Sequence, residues 1–310
     1  MIFPKVSIQI PTYNQGMYIE QAIKSCLNQD YPNLEINIAD DCSTDNTHEI
    51  IKPYLKDKKI NYFKNEINIG RISNYRKALN EYATGIWVLN LDGDDYFTNN
   101  HFIKNAIEKI LIEGCDDVLF YQGTHILKTF DKEFLLKPHL KEDFVIIIAK
   151  KYLNHFFKIK NFSHMSTLYN RRIAITLGFY EKDIISSDIY SFLNMTINHP
   201  GKKIILSNEL SGVWLHHDLN ISKSLKIKDH LKNFSLYTHL FFQQLKNQEF
   251  SDISSILWLF KAFYIYWRSW ISNKFLIKWK TINFKNILLQ KNIKKIHLLM
   301  LILNMLIDLH

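Results

Sequence analysis

The sequence predicts an α/β protein built on a largely parallel mixed sheet. Short apolar runs alternate with helix-period stretches over roughly the first 100 residues, each run ends in a polar turn, and carboxylates cluster in those turns. A β-α-β-α-β-α-β order implies right-handed crossovers, and ligands of such sheets bind beyond the carboxyl ends of the strands. The polar turns should therefore meet on one rim.

Val6 to Ile10 alternates as a strand and stops at Pro11-Thr12-Tyr13-Asn14. Between Tyr18 and Gln29, Ile19, Ala22, Ile23, Cys26 and Leu27 share one helical face. Leu34 to Ala39 is a second strand, closed by Asp40-Asp41-Cys42-Ser43-Thr44-Asp45. Ser43, Thr44 and Asp45 are N-cap candidates for a helix through His48, Ile51 and Leu55. Ile60 to Phe63 is a third strand. Asn68-Ile69-Gly70-Arg71 precedes a helix from about Ser73 to Tyr82, and Ile86 to Leu91 is a buried fourth strand entering Asp92-Gly93-Asp94-Asp95.

Three carboxylates at one strand exit repel one another and lose hydration when buried, so a shared cation is the simplest reason for them. Hard oxygen ligands suit Mg²⁺ or Mn²⁺, bound through one or two carboxylates and the phosphate oxygens of a substrate. Alone, the four residues also read as an Asp-Gly turn with solvated charges. Convergence with the other two turns favours the cation.

Together these segments resemble the family 2 glycosyltransferases of the GT-A fold. The family's P-x-Y-N, S-x-x-x-Q, V-D-D-x-S-x-D, N-x-G-x and D-x-D-D are matched by Pro11 to Asn14, Ser25 to Gln29, Ala39 to Asp45, Asn68 to Arg71 and Asp92 to Asp95. Cys42 stands where glycine is usual, and Gly93 where alanine or serine is common. The resemblance implies a GT-A nucleotide-sugar-binding fold and a catalytic domain over residues 1–222. It implies a UDP-sugar donor: Pro11, Thr12, Tyr13 and Asn14 would line the nucleotide, Asp41 would accept the uracil N–H, and Arg71 would lie near the base or diphosphate. Asp94 would be the principal metal ligand, with Asp92 beside it, and Asp92 and Asp95 would also face donor or acceptor. Gly178-Phe179-Tyr180-Glu181 and Ser187-Asp188 resemble the family's G-x-x-D/E…E-D stretch, with Ser187 replacing the usual first acid. That match makes Asp188 the base for a single inverting displacement. Trp214 to Ser222 resembles the closing H-x-x-N-x-S stretch, which makes His217 a further metal ligand. Plainer readings stay open: an N-cap or turn for Asp41 and Asp188, packing for Tyr13, a surface arginine for Arg71, a structural role for His217.

Charge is unevenly placed. Lys223 to His310 holds 14 Lys and Arg against 4 Asp and Glu, a net +10, so the preceding part carries −1 of the whole chain's +9. Trp258, Phe260, Phe263, Tyr264, Tyr266, Trp267, Trp270, Phe275 and Trp279 are interleaved with Lys261, Arg268, Lys274, Lys278 and Lys280. No stretch supplies the ~20 apolar residues of a membrane span. A helical, cationic region over 223–310 is therefore expected to lie in an anionic lipid interface, with packing on the catalytic domain or a partner chain as the alternative. Size and layout look similar to bacterial glucosyltransferases that branch undecaprenyl-diphosphate-linked oligosaccharides. That likeness implies a hexose, from UDP-glucose in preference, moved to a polyprenyl-diphosphate-linked glycan acceptor at the membrane surface. Three scattered cysteines, with no secretory signal ahead of the first strand, fit an enzyme peripheral on the inner, cytoplasmic face of the membrane. Basic charge with interleaved aromatics also suits nucleic-acid binding, but leaves the acidic rim unexplained, so no nucleic-acid partner is expected. A non-catalytic glycan or lipid-carrier binding protein on the same scaffold would have no use for Asp94 and Asp188.

Overall fold

The structure, a computed structural model, describes residues 3–136, 140–158, 162–217, 227–247, 250–251 and 254–262. The first half alternates β1 (Val6–Thr12), α1 (Ile19–Leu27), β2 (Leu34–Asp40), α2 (Thr47–Ile51), β3 (Ile60–Lys64), α3 (Arg71–Lys77) and β4 (Trp87–Asn90). Then come β5 (Tyr96–Phe97), α4 (Phe102–Glu113), β6 (Val118–Lys128), β7 (Glu133–Leu136), β8 (Phe144–Ile148) and α5 (Ala149–His155). β9 (Thr167–Asn170), α6 (Arg171–Thr176), α7 (Ser187–Asn198), β10 (Lys203–Leu215) and α8 (Ile227–Lys246) complete the order.

Among these residues one sheet runs β3-β2-β1-β4-β9-β6-β10-β5, with β7 on β6 and β8 on β10. The first four strands are parallel, as the crossovers require. β9 is antiparallel to both β4 and β6, which makes the sheet mixed. Apolar side chains cover both faces. Trp87, Leu89, Val6, Ile8 and Ile10 pack with α1 and α4, whereas Val88 packs on the other face with α5, α7 and α8.

Local departures from the expected elements have identifiable causes. β1 continues through Pro11 and Thr12. The Gln9 carbonyl accepts from Leu91 N and the Thr12 carbonyl from Asp41 N, so odd-numbered residues of β1 face β4. Pro11, which has no N–H, falls on that side where β4 has already ended. The helix expected through Leu55 is α-helical only to Ile51 and continues as a 3-10 turn over residues 52–56, because Pro53 lacks the N–H for an α-helical bond. The N-cap position falls on Asn46, one residue past the three candidates, and its side chain makes no cap bond; Asp45, just outside, accepts from the Thr47 N–H and hydroxyl. Residues 78–82 form a π-turn after α3, with Ala83 N bonded to the Ala78 carbonyl at 3.0 Å. Ile86 is 53 % exposed, so the buried part of the fourth strand starts at Trp87.

The described part of the cationic region packs inward. Leu236, Tyr237, Leu240 and Phe241 of α8, with Trp258, Leu259 and Ala262, join the core that holds α5 and α7. Trp258, expected at a lipid interface, is 3 % exposed and donates its indole N–H to the Leu153 carbonyl at 3.1 Å. Phe263, Tyr264, Tyr266, Trp267, Trp270, Phe275 and Trp279 lie outside the described residues. No helix among the described residues is long and apolar enough to cross a membrane.

Candidate active site

A cavity of about 620 Å³ opens beyond the carboxyl ends of β1, β2 and β4. Pro11, Thr12, Tyr13, Asn14, Asp41, Arg71, Asp92, Asp94, Asp95, Asp188 and His217, the residues singled out in the sequence, all line it. The motifs thus converge although they lie as far apart in sequence as residues 11 and 217.

One wall comes from the turns after β1 and β2. Asn14 adopts φ +52°, and its side-chain oxygen accepts from Thr44 N at 2.8 Å, while its own N–H donates to Ser43 Oγ. Its side chain therefore clips the two turns together. Tyr13 is 47 % exposed at the mouth. Asp41 is buried, and its carboxylate accepts from Ile69 N, Gly70 N and Asn65 Nδ2 at 2.8–3.0 Å. This pins the Asn68-to-Arg71 turn against β2, with Gly70 at φ +87° supplying the bend. Arg71 opens α3, donates to the Ile185 carbonyl at 2.8 Å and lies 5.6 Å from the Tyr75 ring.

The acidic turn forms the floor. One oxygen each from Asp92, Asp94 and Asp95 lies within 4.8 Å of the others. His217 Nε2 is 2.8 Å from Asp94 Oδ2, and its ring stacks on Tyr18 at 4.7 Å. Asp95 Oδ1 accepts from Leu215 N at 2.9 Å, tying the turn to the end of β10. Tyr75 donates its hydroxyl to Asp92, and His164 Nε2 lies 3.4 Å from the other Asp92 oxygen. Gly93 lets the turn close on β1: a Cβ there would come within 2.3 Å of Gln15 Oε1 and 2.9 Å of Thr12 Oγ1.

Electrostatics separate the three acids. Burial raises the pKa of Asp92, but His164, Tyr75 and Arg71 outweigh it and hold the group below the ordinary carboxylate range. Burial and then the Asp92 charge push Asp94 up against the opposing bond from His217. Burial, Asp94 and Asp92 drive Asp95 well above its usual value. Mutual repulsion of this kind is what a divalent cation relieves, and oxygen ligands with one imidazole suit Mn²⁺ or Mg²⁺. Asp92, Asp94, Asp95 and His217 could hold one.

Asp188 faces this group from the first turn of α7. Ser187, beside it, is fully buried, so it is Asp188 that reaches the cavity. Sequence reasoning missed Gln15, Tyr18, Tyr75, His164 and Trp214, which also line the space. Tyr75 stands four residues after Arg71 on α3, so helical spacing could have found it. His164 sits in a 3-10 turn before β9, and no pattern around it signals a role.

Residues 7–178 match the family described as Glycosyl transferase family 2. A glycosyltransferase of Haemophilus influenzae is 40 % identical over 105 residues, covering 34 % of this chain and 42 % of its own length. The Campylobacter jejuni GalNAc(5)-diNAcBac-PP-undecaprenol beta-1,3-glucosyltransferase is 40 % identical over 94 residues, 30 % of each chain. The chain thus spans less than half the length of either relative. Staphylococcus aureus TarS, in its crystal structure with UDP-GlcNAc, superposes with a TM-score of 0.66 at 20 % identity, covering 82 % of this chain and 70 % of that one. At that identity the likeness shows the fold. The family match spans more than half of the residues, and the chain belongs to glycosyl transferase family 2.

Proposed function

We propose that the protein is an inverting, metal-dependent transferase that moves a hexose from a UDP-sugar, UDP-glucose favoured, to a polyprenyl-diphosphate-linked glycan at the inner face of the cytoplasmic membrane. One observation carries the reading: Asp41, the Asp92–Asp95 turn and Asp188 line the same cavity. The bound UDP-GlcNAc of the S. aureus neighbour supports the donor class, and the undecaprenol substrate in the Campylobacter relative's name supports the acceptor class.

Each residue then has a physical task. A carboxylate offers about four acceptor positions. Asp41 uses three on N–H donors of the chain and keeps one for the uracil imide. A base lacking that donor would leave a buried acceptor unpaired, which is how the pocket discriminates. Tyr13, exposed at the mouth, is free to stack on the base. Mn²⁺ or Mg²⁺ on Asp94, Asp92 and His217 would supply charge neutralisation at the departing diphosphate. Asp188 takes the acceptor hydroxyl's proton as that oxygen bonds to the anomeric carbon, while the bond to the diphosphate breaks and its electron pair leaves on UDP. One displacement inverts the centre without an enzyme nucleophile.

A screen of UDP-sugars for Mn²⁺-dependent release of UDP tests the reading. EDTA and Asp94→Ala should each abolish release, whereas Asp188→Asn should bind UDP normally and lose about 10²–10⁴-fold in transfer. Turnover surviving EDTA would remove the metal, and an active Asp188→Asn would remove the base.

A further inference from the structure

His164 joins the two halves of the site. Its Nε2 lies 3.4 Å from Asp92 Oδ2, and its Nδ1 lies 3.9 Å from Asp188 Oδ2. The ring is buried beside Tyr75, with centroids 5.5 Å apart. Its place is fixed from behind, because the Ser166 and Thr167 hydroxyls both donate to the Ser163 carbonyl and close the 3-10 turn around it. Nδ1 is nevertheless shut away from solvent without a hydrogen bond. A buried ring nitrogen in that state costs stability and calls for a partner. The nearest carboxylate in its direction is the one read above as the base.

We propose that His164 is a positioning residue: anchored on Asp92 through Nε2, it uses Nδ1 to orient the Asp188 carboxylate toward the acceptor hydroxyl. Hydrogen-bond contact requires an approach of about 1 Å, and catalytic bonds commonly tighten only when substrate is bound. The acid at the metal side and the acid at the acceptor side are then spaced by one rigid imidazole. The inference rests on Asp188 being the base.

Two amide variants separate the nitrogens. In His164→Gln the amide reaches the place of Nε2, and in His164→Asn the place of Nδ1. UDP affinity is read by calorimetry with Mn²⁺, and turnover with UDP-glucose and a detergent-solubilised polyprenyl-diphosphate oligosaccharide. His164→Gln should keep UDP affinity within about twofold while kcat falls about 10- to 100-fold, the worth of a bond to a charged group. His164→Asn should recover most of that kcat and show the higher donor KM. Full kcat in His164→Gln overturns the proposal, as does an equal loss in both variants accompanied by lower Tm, which marks packing alone. Asp188→Asn is run beside them. Should it stay active, the base assignment fails; should it be dead while His164→Gln is active, only the role of His164 fails.

Discussion

Cys42 adopts φ +65°, a left-handed conformation that costs a residue with a Cβ about 1–2 kcal/mol. It gains a contact in return, its Sγ lying 3.4 Å from the Glu66 carbonyl. The glycine usual here in the family therefore has a backbone cause. Cys42→Gly should change unfolding free energy by no more than about 0.5 kcal/mol, the gain in φ freedom offsetting the looser unfolded chain. Cys42→Val, branched at Cβ, should lose about 1–2 kcal/mol in urea titration. Site residues differ in how legible they were. Asp92, Asp94, Asp188 and His217 stand in spaced patterns whose residue types already imply charge chemistry. His164 does not, since its place in the site comes from a contact 72 positions away in the chain, with Asp92.

At the level of elements, β1 and β2 present a polar face to the turn ahead of β4, and Glu35 holds it together. Its carboxylate accepts from Ser7 Oγ at 2.5 Å, from Thr84 N and Oγ1 at 2.7 Å, and pairs with Lys5 at 2.6 Å. Burial raises its pKa, but those bonds prevail and hold it at about 2 against an ordinary 4.5. The unfolded chain thus binds more protons between those values. Stability from Glu35 is complete above about pH 4.5 and is lost as pH falls toward about 2, on the order of 3 kcal/mol in all. Glu35→Gln should flatten that part of the urea-midpoint profile, and an unchanged acid slope would show the pair to be idle. The strands of the first half were readable because each couples an apolar run to a nearby turn. β9 was not: it has four residues, and its place between β4 and β6 is decided by partners far away in sequence.

For the molecule as a whole, the boundary at residue 222, where the family resemblance ends, crosses a shared core. α8 and residues 254–262 bury apolar side chains against α5 and α7. Trp258→Ala should therefore cost about 3–5 kcal/mol. A chain ended after residue 222 should melt far lower than one ended after 262, or fail to fold. Only the latter cut is a fair test of lipid contact. Anionic vesicles should sediment the full chain and leave the shorter one in solution, and equal sedimentation would move any lipid contact away from residues 263–310. Another feature reaches across the molecule. The Asp95 bond to Leu215 N stands two residues before His217, and works like a surveyor's benchmark for the imidazole. Inserting even one residue between them would throw the ring off Asp94.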